Sequence, residues 1–75
     1  MGNYATFAEA MQEAANRADL RDTFTVFSYM PHVGFSPRWD FCKGQVTVEY
    51  MASIAGVSNP AQIGRVFVTT VSGNI

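Results

Sequence analysis

The sequence predicts a small α+β domain, and three observations indicate this fold. An amphipathic helical pattern near the N-terminus is followed by a segment of alternating aromatic and β-branched residues, and then by two helix-like segments joined by a glycine-containing turn. At 75 residues, the chain has room for one domain, so we interpret residues 1–75 as a single unit. Because 48% of the residues are hydrophobic and 13% aromatic, the composition excludes a disordered polar chain.

Residues 4–18 predict the first helix. Apolar residues recur there at spacings of three and four and share one face: Phe7, Met11, Ala14, Ala15 and Ala18. Thr6 followed by Glu9 matches a capping box, in which each side chain bonds the backbone N–H of the other residue. We therefore expect an amphipathic helix over residues 4–18, with these apolar residues on one face.

Residues 23–29 change to a period of two, which predicts a strand. Phe24 and Val26 would lie on one face, and Phe27 and Tyr29 on the other. Three breakers follow in residues 30–39, which we interpret as a loop or irregular hairpin: Pro31, Gly34 and Pro37. Residues 38–43 can return as a second strand, giving a short antiparallel sheet.

Two helix signals lie in the C-terminal third. Thr47 can cap a helix over residues 48–55, and Gly56 suits its C-terminus because a positive φ is inexpensive for glycine. Asn59 and Pro60 then form a start signal for a further helix. On that helix three apolar residues would share one face: Ile63, Val66 and Phe67. Residues 66–71 also have strand character, and residues 72–74 predict a turn.

Residues 46–67 resemble the helix-turn-helix of winged-helix transcription regulators of the DeoR type. The matching positions are Met51, Ala52, Gly56, Val57, Ser58, Ile63 and Val66. The segment departs from the family in the extra turn residue Asn59, in Gly64 within the second helix, and in a truncated wing. The resemblance implies a C-terminal helix pair in a winged-helix-like fold.

The same resemblance implies a DNA-binding regulator that acts as a dimer. Residues at the exposed start of the second helix would meet base edges: Asn59, Ala61, Gln62 and Arg65. Lys43 and Arg38 would contact phosphates. The formal net charge of −1, with five basic residues in all, opposes this interpretation because phosphate binding depends on clustered Lys and Arg.

A second hypothesis comes from the aromatic loop region. It concentrates residue types that contribute binding energy at protein interfaces: Tyr29, Met30, His32, Phe35 and Trp39. The alternative is that these residues form the core of a small domain. The corresponding function is a small phage or mobile-element protein that inhibits or modulates a larger host protein, such as RNA polymerase or a nucleic-acid defence complex. A structural subunit of a larger assembly is a third option.

Catalytic, metal and cofactor sites have little support in the sequence. His32 is the only histidine and Cys42 the only cysteine, and neither lies in a spacing typical of metal ligands. We expect no enzymatic activity and no cofactor. A single cysteine, the lack of a secretory signal pattern and the lack of a long apolar run predict a cytoplasmic protein without a membrane partner.

Overall fold

The computed structural model of the chain describes residues 4–17, 21–31, 34 and 36–72. Its elements are helix α1 (Phe7–Arg17), strands β1 (Arg21–Tyr29) and β2 (Arg38–Lys43), helix α2 (Val48–Ala55), one 3-10 turn (Pro60–Gln62) and strand β3 (Ile63–Ser72). The predicted place of Ala18 on the first helix and the predicted turn after Ser72 lie outside the described residues.

The three strands form one antiparallel sheet with the order β2-β1-β3. Phe24 to Tyr29 of the central strand pair with Lys43 to Arg38 in reverse order, as expected for a hairpin around the predicted loop. On its other side, β1 pairs with the C-terminal strand. The predicted class, a small α+β domain with a short antiparallel sheet, is confirmed.

Helix α1 covers one face of the sheet. Ala10 and Ala14 are fully buried, and Ala14 packs with Phe24 while Met11 and Phe41 flank this contact. The backbone N–H of Glu9 donates to Thr6 Oγ1 at 3.2 Å, so Thr6 caps the helix as predicted. The carboxylate of Glu9 accepts from the Thr6 hydroxyl at 3.3 Å rather than from its backbone.

Helix α2 covers the opposite face and matches its prediction. Thr47 is the N-cap and accepts from the backbone N–H of Tyr50 at 3.2 Å, while Gly56 ends the helix at a φ of 77°. Met51 is buried against Phe27 and Tyr29 in a second hydrophobic cluster. The alternation predicted for β1 thus places its two sets of side chains under two different helices.

The second helix of the predicted helix-turn-helix is wrong. Residues 60–62 make one 3-10 turn, and Ile63 begins a ten-residue strand that pairs along β1. Ile63 packs on the cluster around Tyr29 as a strand residue, not as an anchor of a helix. The β-branched run after Arg65 favours a strand, and pairing with the central strand satisfies its backbone groups.

Gly64 lies in a β-bulge, which explains a residue that fits a helix poorly. Phe27 pairs with Val66 and Tyr29 with Ile63, so Ser28 stands opposite two residues of β3. A Cβ on Gly64 would lie 2.7 Å from Ser28 Oγ, closer than a real Cβ contact. That same hydroxyl accepts from the backbone N–H of Arg65 at 2.8 Å, which satisfies a donor that the bulge removes from the ladder.

Candidate protein-binding edge of the sheet

The two edges of the sheet differ in how they are covered. Strand β2 has six residues, and Tyr4 is bridged to its outer side: Tyr4 N–H donates to Trp39 O at 2.7 Å, and Trp39 N–H donates to Tyr4 O at 2.8 Å. Strand β3 has ten residues, and within the described part of the chain no strand pairs with its outer side. Among the residues that the structure describes, the longer edge is therefore the one left open.

The direction of the β3 backbone groups follows from two hydrogen bonds at the strand ends. Gly44 N–H donates to Thr23 O at 2.8 Å, and Met30 N–H donates to Gln62 O at 2.9 Å. Thr23 thus directs its backbone groups towards β2, and because the direction alternates along an antiparallel strand, Phe24 and Val26 direct theirs towards β3. Their partners Thr69 and Phe67 therefore direct their backbone groups towards β1. The backbone groups of three other residues point outward: Val66, Val68 and Thr70.

Apolar side chains lie along the same stretch. Val66 is 38% exposed, Phe67 42% and Val68 48%, and we call these three residues the β3 patch. The pairing places Phe67 on the α1 side of the sheet, beside Val26, and places the two valines on the α2 side. The open edge thus has exposed apolar groups on both faces.

Phe67 is held by an aromatic cluster. Its ring centroid lies 5.1 Å from Phe7, on α1, and 6.2 Å from Trp39, on β2, and the Phe7 and Trp39 rings are 5.3 Å apart. These distances are typical of favourable aromatic pairs. Because neighbouring rings already restrict Phe67, a partner that contacts it loses little further side-chain entropy.

Charge is sparse along the open edge. Arg65 is the only charged residue between Ile63 and Ser72, and indeed from residue 51 onward. Soluble proteins commonly protect exposed edge strands with several charged residues, prolines or a covering segment. The outer side of β3 has one such residue at one end, so its central part remains suited to strand pairing.

Two of the residues predicted to meet DNA bases, Asn59 and Gln62, stabilise the 3-10 turn with their side chains. Asn59 Oδ1 accepts from Ala61 N–H at 3.0 Å, and Gln62 Oε1 accepts from Asn59 N–H at 3.2 Å. Gln62 Nε2 also donates to Met30 O at 2.8 Å, which joins the turn to the end of β1. Asn59 and Gln62 thus have structural partners, and Ala61 is exposed on a turn rather than on a recognition helix.

The basic residues predicted for DNA do not form one patch. Arg38 and Lys43 lie at opposite ends of β2, about 16 Å apart along an extended strand. Lys43 Nζ is 3.4 Å from an Asp22 carboxylate oxygen, and Arg65 lies on β3, beyond the central strand. The structure therefore does not bring together the three cations that the helix-turn-helix resemblance assigned to DNA.

The predicted interface residues lie in different environments. Tyr29 is 4% exposed and belongs to the core around Met51, which favours the alternative that it is a core residue. It is buried because β1 is covered on both faces. Met30 is half-buried, and Trp39 is a half-buried member of the aromatic cluster next to the β3 patch. His32 and Phe35 lie outside the described residues.

A buried carboxyl lies in β2, close to the cysteine. Asp40 is 4% exposed, and burial raises the pKa of its carboxyl, although Phe41 N–H donates to Asp40 Oδ1 at 2.8 Å and opposes this shift. Burial, and secondarily the charge of Asp40, also raises the pKa of the Cys42 thiol. A raised pKa disfavours the thiolate, which is the nucleophilic form. Cys42 is thus a half-buried apolar group here.

One other surface offers a weaker candidate. A shallow depression of about 350 Å³ lies on α1 between Tyr4 and the carboxylates of Glu9 and Glu13. Within the ranges that the structure describes, no three His, Cys, Asp or Glu side chains come together as metal ligands. None of the helices described is long and apolar enough to cross a membrane.

Comparison with known proteins gives no match, whether to a family model, to a curated protein or to a solved structure. Function must therefore be argued from the geometry of the chain. The β3 patch was not among the predicted site residues, because Val66 and Phe67 were assigned to a helix face. The signal that could have found it is the β-branched run of residues 66–71, whose strand character was visible in the sequence.

Proposed function

We propose that the protein is a protein-binding module that adds an extended strand of another polypeptide to the outer edge of β3. The observation that carries this proposal is the contrast between the two edges. Tyr4 bridges the outer side of β2, whereas the ten-residue β3 presents outward backbone groups beside exposed apolar side chains. Unpaired strand edges of this kind are templates for pairing with another chain.

Strand addition uses both kinds of group that β3 presents. The outward N–H and C=O groups of Val66 and Val68 supply main-chain hydrogen bonds, and the alternating side chains supply specificity. Phe67, fixed by Phe7 and Trp39, provides an ordered aromatic contact on the α1 side. Aromatic residues of this type often dominate binding energy at interfaces.

This proposal develops the protein-binding hypothesis of the sequence. A small phage or mobile-element inhibitor of a host protein would act through such an edge, and RNA polymerase and nucleic-acid defence complexes remain predicted target classes. The recognition helix on which the DNA-binding prediction depended is absent, because residues 60–62 form a 3-10 turn and Ile63 begins a strand. The basic residues predicted to contact DNA lie apart from one another. It is tested separately by a DNA titration at several salt concentrations, in which Arg65→Ala should weaken any binding.

The test is site-specific photocrosslinking in the cells that produce the protein. Val68 is replaced by p-benzoylphenylalanine, and the adducts are mapped by mass spectrometry. We expect an adduct with an extended polypeptide segment, and we expect Val66→Lys to abolish it. The matched control carries the same photoreactive group at Tyr50, which is 54% exposed on α2. No adduct at Val68, or equal adducts at both positions, would contradict the proposal.

A further inference from the structure

We propose that the strand added to β3 is the β3 strand of a second copy of this chain, antiparallel and related by a two-fold axis. This inference rests on the proposed function, because it names the occupant of the same edge. The product is a six-stranded sheet with the two β3 strands at its centre. The two copies use the same surface, as an isologous dimer requires.

Backbone geometry restricts how two β3 strands can pair. In an antiparallel ladder, a residue whose backbone groups point outward must lie opposite another outward-pointing residue. The outward residues on β3 alternate through Val66, Val68 and Thr70. A two-fold arrangement must therefore place some residue directly opposite its own counterpart, and registers shift in steps that preserve this alternation.

One register matches all exposed apolar groups. With the axis at Phe67, this residue faces its own counterpart in a non-hydrogen-bonded pair, the type in which side chains approach more closely. Val66 then lies opposite Val68 of the second copy, and Val68 opposite Val66. Moving the axis to Val68 would instead place Phe67 opposite Thr69 and Val66 opposite Thr70. The β3 patch is thus complementary to itself when centred on Phe67.

The charges of β3 are compatible with this register. Arg65 lies opposite Thr69 of the second copy, so pairing brings no two like charges face to face. Since Arg65 is the only charged residue of the strand, the two copies have no other charge to desolvate along it. The β3 patch of the second copy therefore supplies the apolar side chains and the outward backbone groups that the edge requires, and the register leaves Arg65 opposite a neutral residue.

The first experiment measures the mass of the full-length chain by sedimentation over a range of concentrations. We expect twice the mass of one chain at high concentration, and a single-chain mass for Val68→Lys and for Val66→Lys. Edge strands accept lysine, so both variants should keep the circular dichroism of the parent. The control Tyr50→Lys changes an exposed apolar side chain on α2 and should remain dimeric.

The second experiment determines the register in a Cys42→Ala background. Phe67→Cys should form a disulfide between copies under mild oxidation, because cross-strand non-hydrogen-bonded pairs bring the two Cα atoms within reach. Thr70→Cys lies three positions from the axis and should not crosslink. A crosslink through Thr70→Cys, or through Val68→Cys in place of Phe67→Cys, would overturn the register.

The outcomes separate this inference from the proposed function. A single-chain mass at all concentrations, together with a Val68 photoadduct to a different protein, would overturn the second copy and leave the β3 edge as a binding site. A single-chain mass with no Val68 adduct would overturn both. A dimer that both lysine variants leave intact would overturn the β3 interface.

Discussion

Gly64 determines the geometry of β3 at the scale of a single residue. It stands in the bulge opposite Ser28, whose hydroxyl bonds the backbone N–H of Arg65. Any side chain at Gly64 would displace that hydroxyl, because a Cβ would lie 2.7 Å from Ser28 Oγ. The bulge in turn sets the register of Val66 to Thr70 along β1, and hence which backbone groups reach the open edge.

We predict that Gly64→Ala lowers the free energy of unfolding by about 1–3 kcal/mol, the usual cost of overpacking a fitted site. Urea denaturation measures this loss. Ser28→Ala in the same chain should restore part of it, since it removes the atom that the new Cβ meets. Equal losses for the single and double variants would contradict the bulge.

Asp40 makes stability depend on pH. Burial raises the pKa of its carboxyl in the folded chain, so the folded state binds this proton more readily than the unfolded state. The free energy of unfolding contributed by Asp40 therefore falls as pH rises from its ordinary pKa of 3.8 through the raised value. Above that window the cost of the ionised, buried carboxylate is fully present.

We predict that Asp40→Asn is more stable relative to the parent at pH 7 than at pH 3. The amide does not ionise, whereas the parent carboxyl is protonated in both states at pH 3. At pH 7 it is ionised in the unfolded chain, and burial disfavours that charge in the folded chain. Denaturation of both proteins across this range measures the difference, and other titrating groups cancel because both chains carry them. A difference that stays constant or shrinks with rising pH would refute the assignment.

At the scale of elements, the 3-10 turn fixes where β3 begins. Asn59 and Gln62 bond each other's backbone or side chain, and Gln62 also donates to Met30 O at 2.8 Å. Pro60 supplies the preset φ at the start of the turn. These residues signal a helix start, but the turn ends after three residues because the chain pairs with β1 from Ile63 onward.

We predict that Asn59→Ala lowers the free energy of unfolding by about 1 kcal/mol, as loss of an N-cap does. Asn59→Ser should keep most of the stability, because serine can also accept from Ala61 N–H. Thermal and urea denaturation check both variants. Unchanged stability in Asn59→Ala, combined with a loss of DNA affinity, would instead favour the base-contact role that the resemblance implies.

At the scale of the whole molecule, the arrangement of the helices leaves β3 open. Helix α1 reaches Phe67 through Phe7, and α2 covers the cluster around Phe27 and Tyr29, but Val66 and Val68 remain exposed. With 75 residues, the chain has limited surface to bury, and a domain of this size is marginally stable alone. Association through the open edge would add stability from a second copy.

We predict that the melting temperature of the parent chain rises with protein concentration. Dimerisation stabilises the folded state by mass action, because the unfolded chain has no β3 edge to pair. Val68→Lys should melt at a lower temperature that does not change with concentration, and Tyr50→Lys should keep the dependence. Differential scanning calorimetry over a wide concentration range makes the comparison. A concentration-independent melting temperature for the parent would contradict association.

Much of the fold was predictable because local signals agreed with tertiary contacts. The spacing of Met11 and Ala14, the caps Thr6 and Thr47, and Gly56 at a positive φ all act within a few residues of the chain. The alternation of β1 also held, since two helices cover its two faces. For the site, the sequence favoured DNA contacts from a helix after Pro60, where the structure has one 3-10 turn and a strand. Its alternative, a protein interface, included Tyr29, which lies in the core.

The sequence by itself determined the two helices, the central strand and the sparse charge of the C-terminal third, because these depend on local hydrogen bonds, side-chain period and composition. Only the tertiary structure decided whether residues 63–67 form a helix or a strand. Both conformations satisfy local preferences there, and pairing with β1 decides between them. That distant pairing also placed Val66 and Phe67, predicted for the inner face of a helix, beside Val68 on the open edge of a sheet.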